Sequence, residues 1–340
     1  MDNVTHSLTG LALARAGLHS VSPRATLLLI LSANVPDIDL LGLSQGQLRY
    51  LEVHRGYTHS LVCLPAMAAL CVLVVAAIYR QKLPWLRAWL LCSIGVASHL
   101  LLDLTTTYGT RLLLPFSSRW FYLDLNGLYD VWILAALLFA ALWPLFARLV
   151  SREIGARAPT GRASAVAALC FFLLFDAARA VLHARAMAQL ESRLYDDAPP
   201  LQAAALPDAY SPLRWSGVVE SAPAYRLLDV DVAGNLDLEA ARVFYKPEIT
   251  RGLLNVEATP PFRYFRYFAR FPAWSVEPVT LESGTGQRFD VTDLRFGILR
   301  AGGFHCIALV NENGSVLQSA FTYGSGAELG WGAERAVHDR

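Results

Sequence analysis

Charged residues are scarce in this 340-residue chain, at 17% of the total, whereas a soluble domain usually carries about 25%. Hydrophobic residues reach 54% and the mean hydropathy is +0.37, a composition that favours a membrane protein. The net charge is +1, and the chain has no basic run with interleaved aromatic residues. A nucleic-acid partner is therefore not indicated. The length predicts two domains.

The five cysteines include no CxxC pair. Neither a zinc knuckle nor a disulfide framework is indicated, because both depend on closely spaced or paired cysteines. The first six residues also carry no basic segment before the first apolar run. A cleaved signal peptide is therefore not expected.

The apolar residues are concentrated in the first part of the chain. Several apolar runs have about the 20-residue length that a helix needs to cross a bilayer. These runs are 60–79, 85–104, 130–147 and 163–182. Residues 5–18 and 24–34 are too short to cross and predict a helical hairpin. For residues 1–197 we therefore predict an all-α polytopic membrane bundle, with about four transmembrane helices plus this N-terminal hairpin.

The pattern changes near residue 205 to an alternation with period two, which is typical of strands. The charge balance changes as well. Residues 1–200 hold 16 Lys and Arg against 12 Asp and Glu, whereas residues 201–340 hold 13 against 16. For residues 205–340 we predict a small soluble α+β domain with a mainly antiparallel sheet.

The charges between the apolar runs predict an orientation in the membrane. The turn at 80–87 and the loop at 148–162 fall on one side and hold seven Lys and Arg. They are Arg80, Lys82, Arg87, Arg148, Arg152, Arg157 and Arg162. By the positive-inside rule this side is cytoplasmic. The opposite end of the bundle and the C-terminal domain are then expected on the extracytoplasmic side.

His99 and Asp103 stand four residues apart near the end of an apolar run, so they share one face of a helix. Two such residues can ligate one metal ion. Burying an ionisable residue in a membrane costs about 2.5 kcal/mol or more, so it predicts a functional role. The alternative interpretation is a hydrogen bond from His99 at the end of the helix.

Other ionisable residues reach the same end of the predicted bundle. His54 and His59 suit a turn that leads into a helix, Asp37 and Asp39 follow a short helix, and His6 lies in the first helix. Imidazole nitrogens and carboxylate oxygens suit Zn²⁺ or another divalent ion. The predicted metal ligands are His6, Asp37, His54, His59, His99 and Asp103. More than four ligands predict two ions, or one ion with residues that orient its ligands. Taken singly, His54 and His59 also fit polar anchors of a span at the membrane interface. Asp37 and Asp39 also fit simple helix termination, and His6 a lone polar residue on an apolar helix.

Two arginines near these residues, Arg55 and Arg111, are candidates for holding an anionic group such as a phosphate. Ordinary membrane-surface arginines are the alternative. Asp37 or Asp39 would act as a general base. The predicted catalytic residues are therefore Asp37, Asp39 and Arg55.

These residues lie in ordered motifs that resemble the YdjM-like family. The motifs are Thr5-His6 with Gly10, Pro36-Asp37-Ile38-Asp39, His54-Arg55-Gly56-Tyr57-Thr58-His59-Ser60, and His99 to Asp103 followed by Thr107-Tyr108-Gly109-Thr110-Arg111. The resemblance covers roughly residues 1–150. Members of the family are described as inner-membrane, predicted metal-dependent hydrolases. The resemblance therefore implies a multi-pass protein of the bacterial inner membrane whose six predicted ligands are metal-binding or catalytic groups.

The order His, Asp, His, then His-x-x-x-Asp is also similar to that of zinc-dependent phospholipase C and the related zinc nucleases. This more distant similarity implies a helical multi-zinc site that cleaves phosphoesters. The chain lacks an equivalent of the later His and Glu ligands after Asp103. One or two ions are therefore expected rather than three.

The sequence thus predicts a membrane-bound hydrolase with one or two divalent ions, Zn²⁺ first among them. The expected substrate is a phospholipid, another phosphoester or another ester near the membrane surface. The alternative is a non-enzymatic membrane protein whose metal braces the helices and whose C-terminal domain binds a partner. A metal transporter is a third option, against which the gathering of ligands at one end argues. A structural site would be closed by four protein ligands, whereas a catalytic site keeps one position open.

Overall fold

The computed structural model describes residues 1–155, 160–281, 284–297, 303–323 and 335–336. Arg157 of the predicted basic loop lies outside the described residues. The chain divides into two units. The first unit comprises Met1–Leu41, Val53–Arg185 and Pro207–Arg214, and the second comprises Gly42–Glu52, Ala186–Leu206 and Trp215–Arg340.

Helices dominate the described part of residues 1–200. They are α1 (Asn3–Ala16), α2 (Ala25–Ser32), α3 (Gln47–Val53), α4 (Leu64–Tyr79), α5 (Trp85–Leu104), α6 (Val131–Glu153) and α7 (Arg162–Glu191). Short 3₁₀ helices lie at Leu18–Ser20, Val35–Gln45 and Tyr57–His59. The last two of these carry predicted ligands.

Aspartate caps account for where α1 and α6 begin. The Asp2 side chain accepts hydrogen bonds from the backbone N–H groups of Val4 and Thr5. Asp130 does the same for Trp132 and Ile133. A carboxylate at this position satisfies N–H groups that have no partner within the first turn of a helix.

Helices α1, α2, α4 and α5 share one apolar core. Its most deeply buried members are Ala14, Leu28, Leu29, Ala68, Val72, Ala88, Cys92 and Val96. Two glycines set how closely the helices approach. An added Cβ at Gly95 on α5 would overlap Ser32 Oγ, and one at Gly10 on α1 would lie 2.7 Å from Leu29 O. The close packing of α1 and α5 on α2 fixes the helix that precedes Asp37.

Among the described residues, three helices are long and apolar enough to cross a membrane: Trp85–Leu104, Val131–Ser151 and Arg162–Glu191. Two bent pairs also qualify if each is one span. They are Ala25–Ser32 with Val35–Gln45, bent by 44°, and Gln47–His59 with Leu64–Tyr79, bent by 89°. The described residues therefore hold three to five candidate spans, where the sequence predicts about four.

The predicted span at 60–79 differs most from the structure. Its helix, α4, has only 16 residues and begins at Leu64. Pro65 stands in its first turn, where proline is favoured because the N–H group of that position has no partner within the helix. The residues before it form a separate turn that carries His59.

Within the described residues, the C-terminal strands form two antiparallel sheets rather than the single sheet that the sequence predicts. The four-stranded sheet has β1 (Gln202–Pro207), β2 (Arg214–Glu220), β3 (Ala224–Asp231) and β4 (Arg242–Tyr245) in chain order. The five-stranded sheet has the order β8-β7-β6-β5-β9, where β5 is Pro272–Leu281, β6 is Gly284–Asp293, β7 is Phe304–Asn311, β8 is Val316–Tyr323 and β9 is Arg335–Ala336. Helices α8 (Arg251–Glu257) and α9 (Pro260–Phe268) precede β5. The antiparallel pairing is as predicted.

Candidate metal centre

Four side chains of the helical unit converge: Asp37, His59, His99 and Asp103. Each offers one ligand atom, and these atoms all lie within 4.8 Å of one another. The side chains of His59, His99 and Asp103 are almost fully buried, whereas the Asp37 side chain is 15% exposed. Asp37 is therefore the group through which solvent can reach the cluster.

Three local structures position these side chains. Asp37 lies in the 3₁₀ segment Val35–Gln45 that follows α2. His59 ends the 3₁₀ turn Tyr57–His59. His99 and Asp103 project from one face of α5 because they are four residues apart.

The His99 ring has a defined tautomer. Its Nδ1 lies 2.7 Å from the carbonyl oxygen of Ala33. A backbone carbonyl can only accept a hydrogen bond, so Nδ1 carries the proton. In the neutral ring the Nε2 lone pair then faces the cluster.

The His59 ring is oriented in the same way. Its Nδ1 lies 3.2 Å from Asp39 Oδ2 and 3.0 Å from Thr58 Oγ1. An ionised carboxylate accepts only, so it favours a proton on Nδ1, and in the neutral ring the Nε2 lone pair then faces the cluster.

The two Nε2 atoms face each other at 3.1 Å. Asp103 Oδ2 lies 3.3 Å from His59 Nε2 and 3.4 Å from His99 Nε2. Asp37 Oδ1 lies 3.5 Å and 3.6 Å from the same two nitrogens. Four electron-pair donors that face one another repel unless a cation lies among them or one of them takes a proton. Two imidazole nitrogens and two carboxylate oxygens fit a divalent metal ion.

His6 lies directly beside this cluster. Its ring stacks on the His99 ring with a centroid separation of 3.8 Å, and its Nε2 is 3.4 Å from Asp103 Oδ1. Neither ring nitrogen makes a hydrogen bond among the described residues. Burial lowers the pKa of His6 to about 3, and the neighbouring His99 adds to the lowering. The ring is therefore neutral at ordinary pH, as a metal ligand must be.

Asp39 and His54 form a second group with Asp37. Asp39 Oδ1 lies 2.9 Å from His54 Nδ1. Asp39 Oδ2 accepts hydrogen bonds from the backbone N–H of Arg55, at 2.9 Å, and from Thr58 Oγ1, at 3.0 Å. Asp39 therefore orients two imidazoles, which is the role that carboxylates commonly have around metal-binding histidines.

The Arg55 side chain is buried against Asp103 rather than exposed at the surface. Its Nη2 donates to Asp103 Oδ1 at 3.0 Å, and its Nη1 donates to Thr106 Oγ1 at 2.9 Å and to Gly109 O at 3.2 Å. The buried amine of Met1 bonds the same Asp103 oxygen. Both contacts hold Asp103 so that its Oδ2 faces the histidines. An anion-holding role for Arg55 stays a prediction.

Arg111 is also mostly buried. Its Nη2 donates to the carbonyl oxygen of His54 at 3.3 Å, and its guanidinium lies 4.8 Å above the Trp120 ring. A Cβ at Gly56 would come within 2.9 Å of Arg111 Nη2 and 2.6 Å of Val53 O. Gly56 thus allows the turn between His54 and His59 to pass close to this arginine.

Several residues of the centre carry no sequence signal of their own. Thr58 bonds Asp39, the Ala33 carbonyl orients His99, and Thr106 supports Arg55. The Tyr108 ring lies 4.7 Å from the Arg55 guanidinium and 5.4 Å from the His54 ring. Thr58 and Tyr108 lie within the motifs that resemble the YdjM-like family. This location is the one signal in the sequence that points to them.

A Gly-x-Ser-x-Gly sequence occurs at residues 42–46. It lies at the end of the 3₁₀ segment Val35–Gln45 and precedes the short helix α3 (Gln47–Val53). A nucleophile elbow needs this sequence between a strand and a helix. Ser44 therefore does not have the setting of a hydrolase nucleophile.

A separate buried polar group lies between α6 and α7. Arg179 Nη1 donates to Asp130 Oδ2 at 2.7 Å, and Arg179 Nη2 donates to Asp208 O at 3.1 Å. Asn126 Nδ2 donates to Asp176 Oδ1 at 2.8 Å. Here each cation or amide meets a matching acceptor, so these contacts join α7 to the start of α6 and to the chain at residues 126 and 208.

Comparison with known proteins places the helical part in a family. The YdjM inner membrane protein family matches residues 1–186. The uncharacterized protein YfhP of Bacillus subtilis (strain 168) is 31% identical over 156 residues, which cover 42% of this chain and 46% of that protein. The inner membrane protein YbcI of Escherichia coli (strain K12) is 35% identical over 124 residues, which cover 35% of this chain and 70% of that protein.

The chain spans about half the length of YfhP, at 46%. No solved structure matches it significantly. The family match covers more than half of the 340 residues, and the candidate apolar spans agree with a membrane protein. The chain therefore belongs to the YdjM inner membrane protein family.

Proposed function

We propose that this protein is a membrane-bound, metal-dependent hydrolase that uses Zn²⁺ to cleave a phosphoester or another ester near the membrane surface. One observation carries the proposal. Two imidazole nitrogens and two carboxylate oxygens meet in a buried cluster, and the Nδ1 atom of each imidazole faces an oxygen on the opposite side of the ring. This donor set supports Zn²⁺, which binds nitrogen and oxygen ligands in buried sites.

His59, His99, Asp37 and Asp103 would hold the ion, with His6 beside Asp103. When bound, the metal supplies a Lewis acid and lowers the pKa of a coordinated water toward about 7. A second ion would fit Asp39 and His54, with Asp37 shared between the two groups. The expectation of one or two ions is kept on this basis.

The residues of the chain have separate roles in this proposal. Asp39 orients His54 and His59, and Arg55 fixes Asp103. Asp37 is the most exposed of the four central side chains, and its Oδ2 accepts one hydrogen bond, at 2.9 Å, from Asn3 Nδ2. Both Asp39 oxygens are already engaged, so Asp37 is the better placed to accept a proton from water at the open side.

A structural metal site is the second candidate function. It is favoured by the presence of four protein donors, which is the number that closes a tetrahedral Zn²⁺ site. A metal that only braces α2, α5 and the turn at His59 would need no access for substrate. Hydrolysis measurements separate the two functions.

The test uses the purified full chain in detergent, stripped of metal and reloaded with Zn²⁺ or Mn²⁺. Its probes are the soluble esters bis(p-nitrophenyl) phosphate and p-nitrophenyl acetate. We expect metal-dependent turnover that falls by more than about 100-fold in Asp37→Asn, because ligand loss exceeds the effect of losing an orienting group. Asp229→Asn, on the exposed face of β3, is the control for the same chemical change. Tight metal binding without turnover of either ester would contradict the hydrolase proposal and favour the structural metal site.

A further inference from the structure

The chain leaves the helical unit between two residues of the candidate metal centre. Residues Gly42–Glu52, here called the connecting segment, belong to the second compact unit, which also contains the five-stranded sheet. Asp39 stands three residues before this segment, and His54 stands two residues after it. The covalent chain therefore links the C-terminal domain to Asp39 and His54 from both sides.

Asp39 also closes the base of the connecting segment. Its Oδ1 lies 2.9 Å from His54 Nδ1, and its Oδ2 accepts a hydrogen bond from the backbone N–H of Arg55 at 2.9 Å. These contacts join the chain before the segment to the chain after it. A displacement of the segment would therefore act first on the contacts by which Asp39 orients His54.

Tyr264 of α9 holds the C-terminal end of α3. Its hydroxyl donates to the carbonyl oxygen of Glu52 at 3.1 Å. The last four carbonyl groups of a helix have no partner within the helix, so a donor from outside fixes where the helix end lies. Val53 ends α3 and directly precedes His54. The Tyr264 hydroxyl therefore acts on the backbone two residues from this imidazole.

Gln47 holds the other end of α3. Its Oε1 accepts a hydrogen bond from the backbone N–H of Tyr323 at 3.0 Å, and the Tyr323 ring lies 5.9 Å from the Tyr50 ring. Tyr323 ends β8, which is an edge strand of the sheet within the described residues. Edge strands present N–H groups that have no partner in the sheet. Gln47 therefore fixes α3 to an N–H group of β8, while Leu51 of the same helix is fully buried.

The short helix α3 depends on these contacts. It has 7 residues, and isolated helices shorter than about 12 to 15 residues are marginal in water. Without the contacts to α9 and β8, residues 40–53 would be a flexible loop, and closing that loop between Asp39 and His54 would cost entropy. The contacts therefore make it easier for Asp39 and His54 to meet.

We propose that the C-terminal domain positions the metal centre through α3, with Tyr264 and Gln47 as the positioning residues. This inference rests on the metal binding that the proposed function assigns to the centre. The two residues act through Asp39 and His54 rather than as ligands. Release of α3 from α9 and β8 lowers the metal affinity, and metal binding strengthens the docking of α3 by the same factor, because coupling between two equilibria is reciprocal.

The first experiment measures the Zn²⁺ affinity of the purified full chain in detergent by competition with a fluorescent chelator. The variant Gln47→Ala/Tyr264→Phe should bind Zn²⁺ about 10-fold more weakly, as expected when groups that orient metal ligands are lost. In an Asp39→Asn background the same two changes should lower the affinity by less than about 2-fold, because they act through a residue that is already disabled. Gln47→Glu keeps an acceptor oxygen for the Tyr323 N–H group and should retain the wild-type affinity.

The matched control is Gln189→Ala/Tyr195→Phe. In the same compact unit, it removes a glutamine that donates to the carbonyl oxygen of Asp231 and a tyrosine hydroxyl that donates to that of Leu190. It should keep the wild-type affinity.

The outcomes separate positioning from a general loss of stability. Equal falls in affinity in the wild-type and Asp39→Asn backgrounds would overturn the proposal, as would an equal fall in the control. Wild-type affinity in Gln47→Ala/Tyr264→Phe, or a 10-fold loss in Gln47→Glu, would also overturn it. These results leave the proposed hydrolase standing, whereas a wild type that binds no Zn²⁺ overturns the metal centre and this inference together.

The second experiment follows α3 in the unaltered chain. Hydrogen exchange, measured by mass spectrometry, is compared between Zn²⁺-loaded and metal-stripped protein in detergent. Because the coupling is reciprocal, peptides from residues 43–53 should exchange about 10-fold more slowly in the loaded protein, and peptides from β3 should exchange equally in both. Equal exchange of residues 43–53 in the two states, in protein that binds Zn²⁺, would overturn the proposal.

Discussion

Two buried polar groups of the helical unit, the candidate metal centre and the Asp130–Arg179 pair, differ in how their charges are matched. Asp103 and Asp130 are both almost completely buried. Asp130 Oδ2 meets the Arg179 guanidinium at 2.7 Å, and Asp130 Oδ1 caps α6. Asp103 Oδ2 instead faces two histidine nitrogens and makes no hydrogen bond within the described ranges.

The difference shows that burial alone does not distinguish a structural ion pair from a metal site. Buried polar atoms in proteins are nearly always hydrogen-bonded, and both carboxylate oxygens of Asp130 follow this rule. The metal centre breaks it with four converging donors of electron pairs and a His6 ring that has no hydrogen bond among the described residues. A matched pair indicates a structural role, whereas an excess of acceptors indicates a cation.

The largest effect is expected when the Asp130–Arg179 pair is broken. Arg179→Met leaves the Asp130 carboxylate buried without its cation, which costs about 3 to 5 kcal/mol in the free energy of unfolding. The variant Arg179→Met/Asp130→Asn should recover most of this loss, because asparagine still caps α6. Denaturant titration of the detergent-solubilised protein measures both. Folded Arg179→Met protein should keep the wild-type metal content. A loss of metal in this variant would show that the metal centre depends on the Asp130–Arg179 pair.

Metal removal should lower the stability that the candidate metal centre contributes. At a free Zn²⁺ concentration of 100 times the dissociation constant, binding to the folded state adds about 2.7 kcal/mol of stability. The thermal midpoint of the wild type should fall on chelation and return with Zn²⁺. His99→Ala should show no such change, and Arg179→Met should keep it. A shift of equal size in His99→Ala would mean that the stabilising ion binds elsewhere.

A smaller effect is expected from the residue that orients the ligands. Asp39→Asn keeps the shape of the side chain but weakens its hold on His54 and His59, and metal affinity should fall about 10- to 100-fold. Competition with a fluorescent chelator measures the affinity. Asp290→Asn is the matched control, because Asp290 also holds a histidine, His305, at 2.9 Å in the sheet region. An equal fall in both variants would indicate a general loss of folding.

The smallest effect should come from Thr58, whose hydroxyl contacts both Asp39 and His59. Thr58→Val removes one net hydrogen bond, worth about 1 kcal/mol, so metal affinity should fall by several-fold. Thr58→Ser should restore it because the hydroxyl is kept. Wild-type metal affinity in the valine variant would show that Thr58 does not support the metal centre.

Part of this organisation can be predicted from the sequence. The apolar run 85–104 is one helix, and the spacing of His99 and Asp103 places both on the same face. The His54–His59 spacing excludes a shared helix face, and the structure has a turn there. These features depend on local periodicity, which a single sequence shows directly.

The remaining features depend on contacts between distant segments. Nothing in the local pattern near Asp39 shows that its carboxylate would hold His54 and His59, or that Arg55 would turn inward to Asp103. Arg55 has a positive φ of 52°, which an arginine adopts rarely and which no local motif predicts. The division into two sheets likewise depends on which strands pair, and alternation alone does not specify partners.

Metal analysis of the purified full chain by mass spectrometry tests the central claim most directly. The wild type should retain one or two divalent ions per chain after dialysis. His99→Ala and Asp103→Ala, each checked for helical content by circular dichroism, should lose metal, and Arg179→Met should not. Folded variants at positions 99 and 103 that hold as much metal as the wild type, or a folded wild type that binds none, would contradict the account.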